Sequence, residues 1–415
     1  MGIAGLLAIG ALPGCWFPRP PEPGELVVAD FVAEPREGIP PLRVRFTNLA
    51  RGTITDCLWD FGDGTTSTER DPVHVYTTPG TFTVSLTVAG PGGSDTKVRP
   101  NYIVVESPEE SWSCTPKVFL LIFNPVLEAD GNIPLVQYYS WNDPDALAQE
   151  YIADVAECSY GQVRYQIVFR VELDEWPLFA DGFRYTDESY KQAWETRTMR
   201  EGTLDYVHYL DRFDIKTKVD RGEIDEVWIF GFPWGWIWES CMAGPNAIWI
   251  NGPTVPYSTS RPFPIMGFNY EREVDCMLEN LGHRAECVLN HVYNGGWWWD
   301  PQATHLWGLF TRIDKTHPGE AGCGNVHFAP NSESDYDWGN PRYVWSTCDD
   351  WLYNFPHLTG YKKLVNCEEW GNGDMRLHHK WWFKHFPHHN GRIAGKLINW
   401  WKYVIQWDRF GEIGP

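Results

Sequence analysis

Hydrophobic and polar positions fall into three successive regimes along the chain. From residue 26 to 106 apolar and polar residues alternate in short runs, "LVVADFVAEP", "LRVRFTNLA", "DCLWDFGDG", "GTFTVSLTVAG" and "NYIVVE", punctuated by Gly, Pro, Asp and Asn. A period of two with turn residues at this spacing predicts an all-β sandwich. The second regime starts at Cys114. "KVFLLIF" is a continuous apolar run, as in a strand covered on both faces, and "DPDALAQEYIADVAEC" has an Asp-Pro start followed by helical periodicity. "GQVRYQIVFRVEL" reads as strand, "GTLDYVHYLDRFDIKTKVDRG" as helix and "IDEVWIFGF" as a further buried strand. Strands separated by helices predict an α/β domain with a mainly parallel sheet, whose functional residues gather beyond the carboxyl ends of the strands. After the helical stretch around residues 277–291 the pattern becomes loop-rich and aromatic to the end.

The punctuation divides the chain into a leader (1–15), a Pro-rich tether "WFPRPPEPGE" (16–25), the sandwich (26–106), a linker (107–113) and the α/β block (114–415). The leader "MGIAGLLAIGALPGCW" holds about ten apolar residues, too few to span a bilayer but suited to a signal h-region. Its "LPGC" resembles the bacterial lipoprotein signal, which implies export and lipidation of Cys15. Pro13 stands where such signals carry Ala or Ser, and no Lys or Arg precedes the apolar run.

Within the sandwich, "WDFGDGTTSTERDPVHVYTTPGTFTVSLTV" resembles a polycystic-kidney-disease (PKD) domain, with its hallmarks at Trp59, Asp60, Phe61, Gly62, Asp63, Gly64, His74, Tyr76 and Gly80. The resemblance implies an immunoglobulin-like fold and a role as spacer or adhesion module. The residues themselves agree: Gly62 and Gly64 permit a tight turn, Asp63 can bond its own backbone, and Trp59 can fill the sandwich.

Charge and composition narrow the partners. A net charge of −21 is the wrong sign for nucleic acid or for adsorption to anionic lipid, so membrane association is expected only through a lipid anchor. Twenty-four tryptophans, with 19 tyrosines and 21 phenylalanines, exceed what core packing needs and suit surfaces that bind sugar or aromatic faces. Directly after the third strand of the block, "GFPWGWIWES" places Trp234, Trp236, Trp238 and Glu239 on the rim of an expected cleft. No G-x-S-x-G, G-x-G-x-x-G or P-loop occurs, which argues against a serine triad and a nucleotide cofactor. Nine cysteines beyond Cys15 are scattered without a C-x-x-C pair; in an exported chain some are expected to form disulfides. Cys276 and Cys287, about 16 Å apart on one helix, cannot pair with each other.

The candidate chemistry centres on "MLENLGHRAECVLNH". At about 100° per residue Glu279, Glu286 and Asn290 share a stripe with His283, and His291 lies to the other side. The spacings of four and three residues let Glu279, His283 and Glu286 converge on one divalent ion, zinc above all. "ENLGH" resembles the zincin metallopeptidase segment H-E-L-G-H through Leu281, Gly282 and His283. Glu279 replaces the first zinc-binding histidine and Asn280 replaces the catalytic glutamate, so Asn280 cannot serve as a base. Glu286 and Glu239 are the candidate proton carriers. The loop "GNVHFAPNSESDYDWGN" offers His327 as third ligand, with Asn331, Asp335 and Asp337 beside it. "EEWGNGDMRLHHKWWFKHFPHH" adds Asp374, His378, His379, His385, His388 and His389, each more simply read as structural.

These observations leave three readings: an exported metal-dependent hydrolase of an extracellular polymer (peptide or glycan), a metal-free glycoside hydrolase using Glu239 and Glu286 as its carboxylate pair, or a carbohydrate-binding adhesin carried on the Trp-rich rim.

Overall fold

In the strand Leu42–Asn48, Leu42, Val44 and Phe46 are fully buried while Arg43, Arg45 and Thr47 between them face solvent. That alternation is repeated around two sheets that share one core. The computed structural model describes residues 26–38, 40–105, 112–198, 200–294, 304–393 and 395–411. Cys15, the leader, the tether and most of the expected linker lie outside them. The chain divides into two compact units, 1–107 and 108–415.

The first unit has a three-stranded sheet (Phe31–Glu34, Leu42–Asn48, Val73–Tyr76) and a five-stranded one. This makes eight strands, of which Glu37–Gly38 and Thr66–Ser67 are two-residue edge strands. Trp59 is fully buried between Phe31 and Phe46, with ring centroids at 5.1 and 5.4 Å, and its indole N–H donates to Glu69 O at 2.9 Å. Gly62 has φ +79°, and a Cβ there would lie 2.3 Å from Thr83 O, so only glycine fits this turn. Asp63 accepts from the Thr65 amide at 3.0 Å and meets His74 Nε2 at 2.6 Å.

The second unit is built on a five-stranded sheet ordered Gln166–Leu173, Lys117–Phe123, Glu226–Gly231, Phe263–Asn269, Ser240–Ala243. The first four strands are parallel and the last is antiparallel. The last two strands were not anticipated: Pro264 and Gly267 break the apolar reading of "FPIMGFN". Gly267 is required there, since a Cβ would sit 2.2 Å from Trp238 O. The helix Pro144–Cys158 is capped by Asp143 as its sequence suggests. The stretch expected as one helix over 202–222 is instead Tyr206–Arg212 and Ile215–Asp220, broken at Asp214, which takes a left-handed conformation (φ 50°). The aromatic C-terminal region is also less loop-like than its pattern implies, since it contains the helix Met375–Lys384, capped by the Asp374 carboxylate.

A 21-residue helix, Val274–Asn294, packs against the sheet and against Met375–Lys384. Arg284 on this helix bonds Glu226 at 2.9 Å with both side chains buried, and Tyr165 and Trp228 also donate to the Glu226 carboxylate. Burial of such a pair is tolerable because the Glu226 carboxylate is fully bonded and Arg284 Nη1 and Nη2 both donate, leaving only the buried Arg284 Nε without a partner. The expected disulfides are not formed: Cys57, Cys114, Cys158, Cys241, Cys276, Cys287, Cys323, Cys348 and Cys367 are all thiols, and five of them are buried as small apolar groups. Among the described residues no helix is long and apolar enough to cross a membrane.

Candidate metal centre

Glu279, His283 and Glu286 project from one face of Val274–Asn294, as their spacing dictates. His327 arrives from a loop that docks on the same face. The dock is steric and polar at once. A Cβ on Gly282 would come 2.5 Å from Val326 Cγ2, so glycine lets the loop approach the helix closely. The Val326 amide donates to Glu286 Oε1 at 3.1 Å, and buried His379 donates from Nε2 to Val326 O at 3.1 Å. Trp382 Nε1 donates to Gly324 O at 3.0 Å.

One ligand atom each from Glu279, His283 and His327 lies within 4.8 Å of the others. Glu279 Oε1 is 2.9 Å from His327 Nε2 and 4.0 Å from His283 Nε2. Ligands on a tetrahedral zinc at about 2.0–2.1 Å sit roughly 3.3 Å apart, and the two distances straddle that value. The outward nitrogens are held from behind. His283 Nδ1 is 3.3 Å from Glu286 Oε2, and His327 Nδ1 is 3.0 Å from Asp335 Oδ1. Each imidazole therefore turns Nε2 toward Glu279 with a carboxylate on its other nitrogen, the arrangement that fixes ring orientation in metal-binding histidines. This donor set fits a divalent ion of the zinc class.

Charge is balanced tightly. Burial works against the ionised form of Glu279, yet the bonds from His327 and Tyr336 and the nearby imidazoles bring its pKa below the usual value. Burial likewise opposes the charged forms of His283 and His327. The Glu286 bond with the Glu286, Glu239 and Glu279 charges raises the first, and the Glu279 bond chiefly raises the second. His378 and His379, deeper in the unit, are held neutral by burial, with His379 at about 4.

The centre opens on a cleft of roughly 340 Å³ at the ends of Glu226–Gly231 and Phe263–Asn269. Glu239, Glu279, Asn280, Trp234 and Trp236 all line it. Trp234 and Trp236 have φ 65° and 53°, left-handed values uncommon outside glycine, so the turn carries backbone strain in presenting them. Glu239 Oε2 lies 3.8 Å from His283 Nε2 and is held by the Asn251 side-chain amide.

Several expectations are corrected. Trp238 is not part of the cleft lining; it is 40% exposed and packs near Trp249. Glu286 does not face Glu239 across the cleft: the two carboxylates approach opposite nitrogens of the same imidazole, and both Glu286 oxygens are engaged. Asn290 and His291 lie away from the centre, beside Trp307 and Trp407. Asn331 and Asp337 shape their own loop, and Asp374 caps a helix. His385 bonds Trp381 O, and His388 stacks on His389. Asn280 donates to Gly267 O at 2.7 Å, a structural bond in place of a base. The sequence reading missed Tyr336, whose hydroxyl donates to Glu279 Oε1 at 3.0 Å and lies 3.1 Å from His327 Nε2. Its only signal was an aromatic residue set among acidic ones, nine positions after His327.

Comparison with known proteins separates the two units. Residues 27–105 match the family model for the PKD domain. The first unit is a PKD domain. Its relatives include collagenase ColA of Bacillus cereus, 35% identical over 116 residues that make up 27% of this chain and 12% of the relative. The pre-pro-metalloprotease PrtV of Vibrio cholerae is 38% identical over 72 residues, 17% of this chain and 8% of the relative. The chain thus spans about a tenth of the length of these relatives, and the aligned part is the PKD domain. Among solved structures, the PKD1 domain of Vibrio anguillarum Epp is 32% identical, covering 20% of this chain and 99% of that one at a TM-score of 0.18. The PKD1 domain of the Vibrio cholerae metalloprotease PrtV is 36% identical, with 20% and 99% coverage and a TM-score of 0.17.

Proposed function

We propose that this chain is an extracellular metal-dependent hydrolase of protein substrates, with its active centre in the second unit and the PKD domain as an accessory module. The observation that carries the reading is the set of three ligand atoms from Glu279, His283 and His327 within 4.8 Å, each imidazole backed by a carboxylate. Relatives of the PKD domain named as a collagenase and a metalloprotease favour a peptide over a glycan as the polymer.

Glu279, His283 and His327 would hold a zinc-class ion, which would supply Lewis-acid activation of water and of a substrate carbonyl. Glu239, whose carboxylate approaches the His283 imidazole from the cleft side, would serve as the proton carrier, accepting a proton from the attacking water and giving it to the leaving amine. Glu286 and Asp335 act as positioning residues that hold the two imidazoles. Trp234 and Trp236 form the wall along which the substrate lies.

The test is zinc content by mass spectrometry together with hydrolysis of a gelatin or casein substrate. The purified chain should hold one equivalent of zinc. His283→Ala should lose it, while Glu239→Gln should keep it and lose hydrolysis by roughly a hundredfold or more. An absence of stoichiometric metal in the parent chain, or its full retention in His283→Ala, sinks the reading.

A further inference from the structure

The cleft that receives the metal centre has one cationic side chain among its described lining residues, Arg272. Everything else that is charged there is acidic: Glu239 and Glu279. Arg272 is exposed, and its guanidinium makes no ion pair with any described carboxylate; its Nε donates only to the Cys276 thiol, at 3.4 Å. In a chain of net charge −21 most arginines of this unit are paired, as Arg170, Arg200, Arg212, Arg261, Arg284 and Arg342 are. A guanidinium left open in an acidic cleft is a fork-shaped donor awaiting a planar anion.

We propose that Arg272 is the anchor for the free carboxylate of a peptide C-terminus, so that the cleft takes chain ends rather than internal segments. The proposal rests on the peptide-hydrolase reading of the centre and specifies its substrate. Helix geometry sets the scale. Cys276, which holds the guanidinium, precedes Glu279 and His283 by three and seven residues on one helix, an axial separation of about 5–10 Å. An extended peptide advances about 3.3–3.6 Å per residue, so a carboxylate at Arg272 puts the peptide bond two or three residues upstream beside the metal ligands. The aromatic wall suits what lies between. Trp234 packs on Trp194 at 5.4 Å, Trp194 on Trp141 at 5.3 Å and Trp141 on Tyr139 at 4.5 Å, an apolar surface continuous with the cleft. An aromatic or aliphatic side chain next to the terminus would bury against Trp234 and Trp236.

Two acetylated tripeptides of sequence Ala-Phe-Ala, one ending in a free carboxylate and one in a carboxamide, test this by isothermal titration of the full chain freed of metal with a chelator. The free acid should bind roughly tenfold more tightly, the difference expected of a charge-assisted hydrogen-bonded pair. Arg272→Gln should abolish the preference, and Arg272→Lys should restore part of it; circular dichroism of each variant checks the fold. Equal binding of the two peptides, binding of neither, or a preference that survives in Arg272→Gln overturns the proposal, as does tighter binding of a glucuronate oligosaccharide. Because the titration is run without metal, loss of the zinc reading leaves its result standing, and its own failure leaves the zinc reading standing.

Discussion

Both units contain a carboxylate bonded to an imidazole, and the two pairs have different fates. In the PKD domain Asp63 meets His74 at 2.6 Å; in the second unit Glu279 meets His327 at 2.9 Å. Asp63 and His74 are eleven residues apart, and their surroundings close on them: Thr65 donates twice to Asp63, and the His74 ring lies 4.1 Å from that of Phe61. Glu279 and His327 are 48 residues apart; a second imidazole and a phenol share Glu279, which lines an open cleft. A carboxylate–imidazole pair is a structural clasp when its remaining valences are filled locally. It becomes a candidate centre when a third donor converges and solvent can reach it.

That contrast can be attacked from either side. The largest effect is expected at the support of the centre. Arg284→Ala strands the Glu226 carboxylate in the core and should cost about 3–5 kcal/mol, lowering the unfolding transition of the second unit in calorimetry while leaving that of the PKD domain in place. A shift of both transitions would show that the units do not unfold separately. Next comes the dock between loop and helix. Gly282→Ala pushes Val326 away and should cost about 1–3 kcal/mol, with a loss of zinc affinity read by competition with a chromogenic chelator. Unchanged affinity would mean that His327 is placed by something other than the Gly282 contact.

The clasp predicts less. Asp63→Asn should cost about 1 kcal/mol at neutral pH and leave zinc binding untouched. Burial opposes ionisation of Asp63, but its bonds from Thr65 and His74 win, so its folded pKa lies below the ordinary value. Its stabilisation is therefore present above the unfolded pKa of about 3.9 and disappears as pH falls through the folded value. Denaturant midpoints of parent and variant should converge as pH falls through that folded value; a gap that stays constant in acid rules out the ionic contribution. Smallest of all, Cys276→Ser should shift stability by less than about 0.5 kcal/mol, and intact mass should be the same with and without reductant. A 2 Da rise on reduction would reveal a disulfide.

What the sequence disclosed follows the range of the interactions. The PKD domain was legible because its determinants are local: alternation writes the strands, and Gly62 with Asp63 writes the turn. Glu279, His283 and Glu286 were legible because helix periodicity places residues three and four apart together. Their roles were not. Which nitrogen Glu286 holds depends on the loop carrying Val326, and the exclusion of Trp238 from the cleft depends on how it turns beside Trp249. Phe263–Asn269 was missed because Pro264 and Gly267 obscure its pattern, although neighbouring strands dictate it. The disulfides were expected from an inferred compartment rather than from any geometry, and five of the thiols instead serve as packing.

The Tyr336 hydroxyl, seated between Glu279 and His327, has a kinetic consequence. Two side chains on segments far apart in sequence are held in alignment with each other, since one phenol reaches both. Under the proposed metal reading, a cation would meet these two side chains already gathered, with little search among loop conformers. The ordering entropy of the loop is borne at folding, so an ion bound there would owe its affinity to its donors more than to the wandering of the chain.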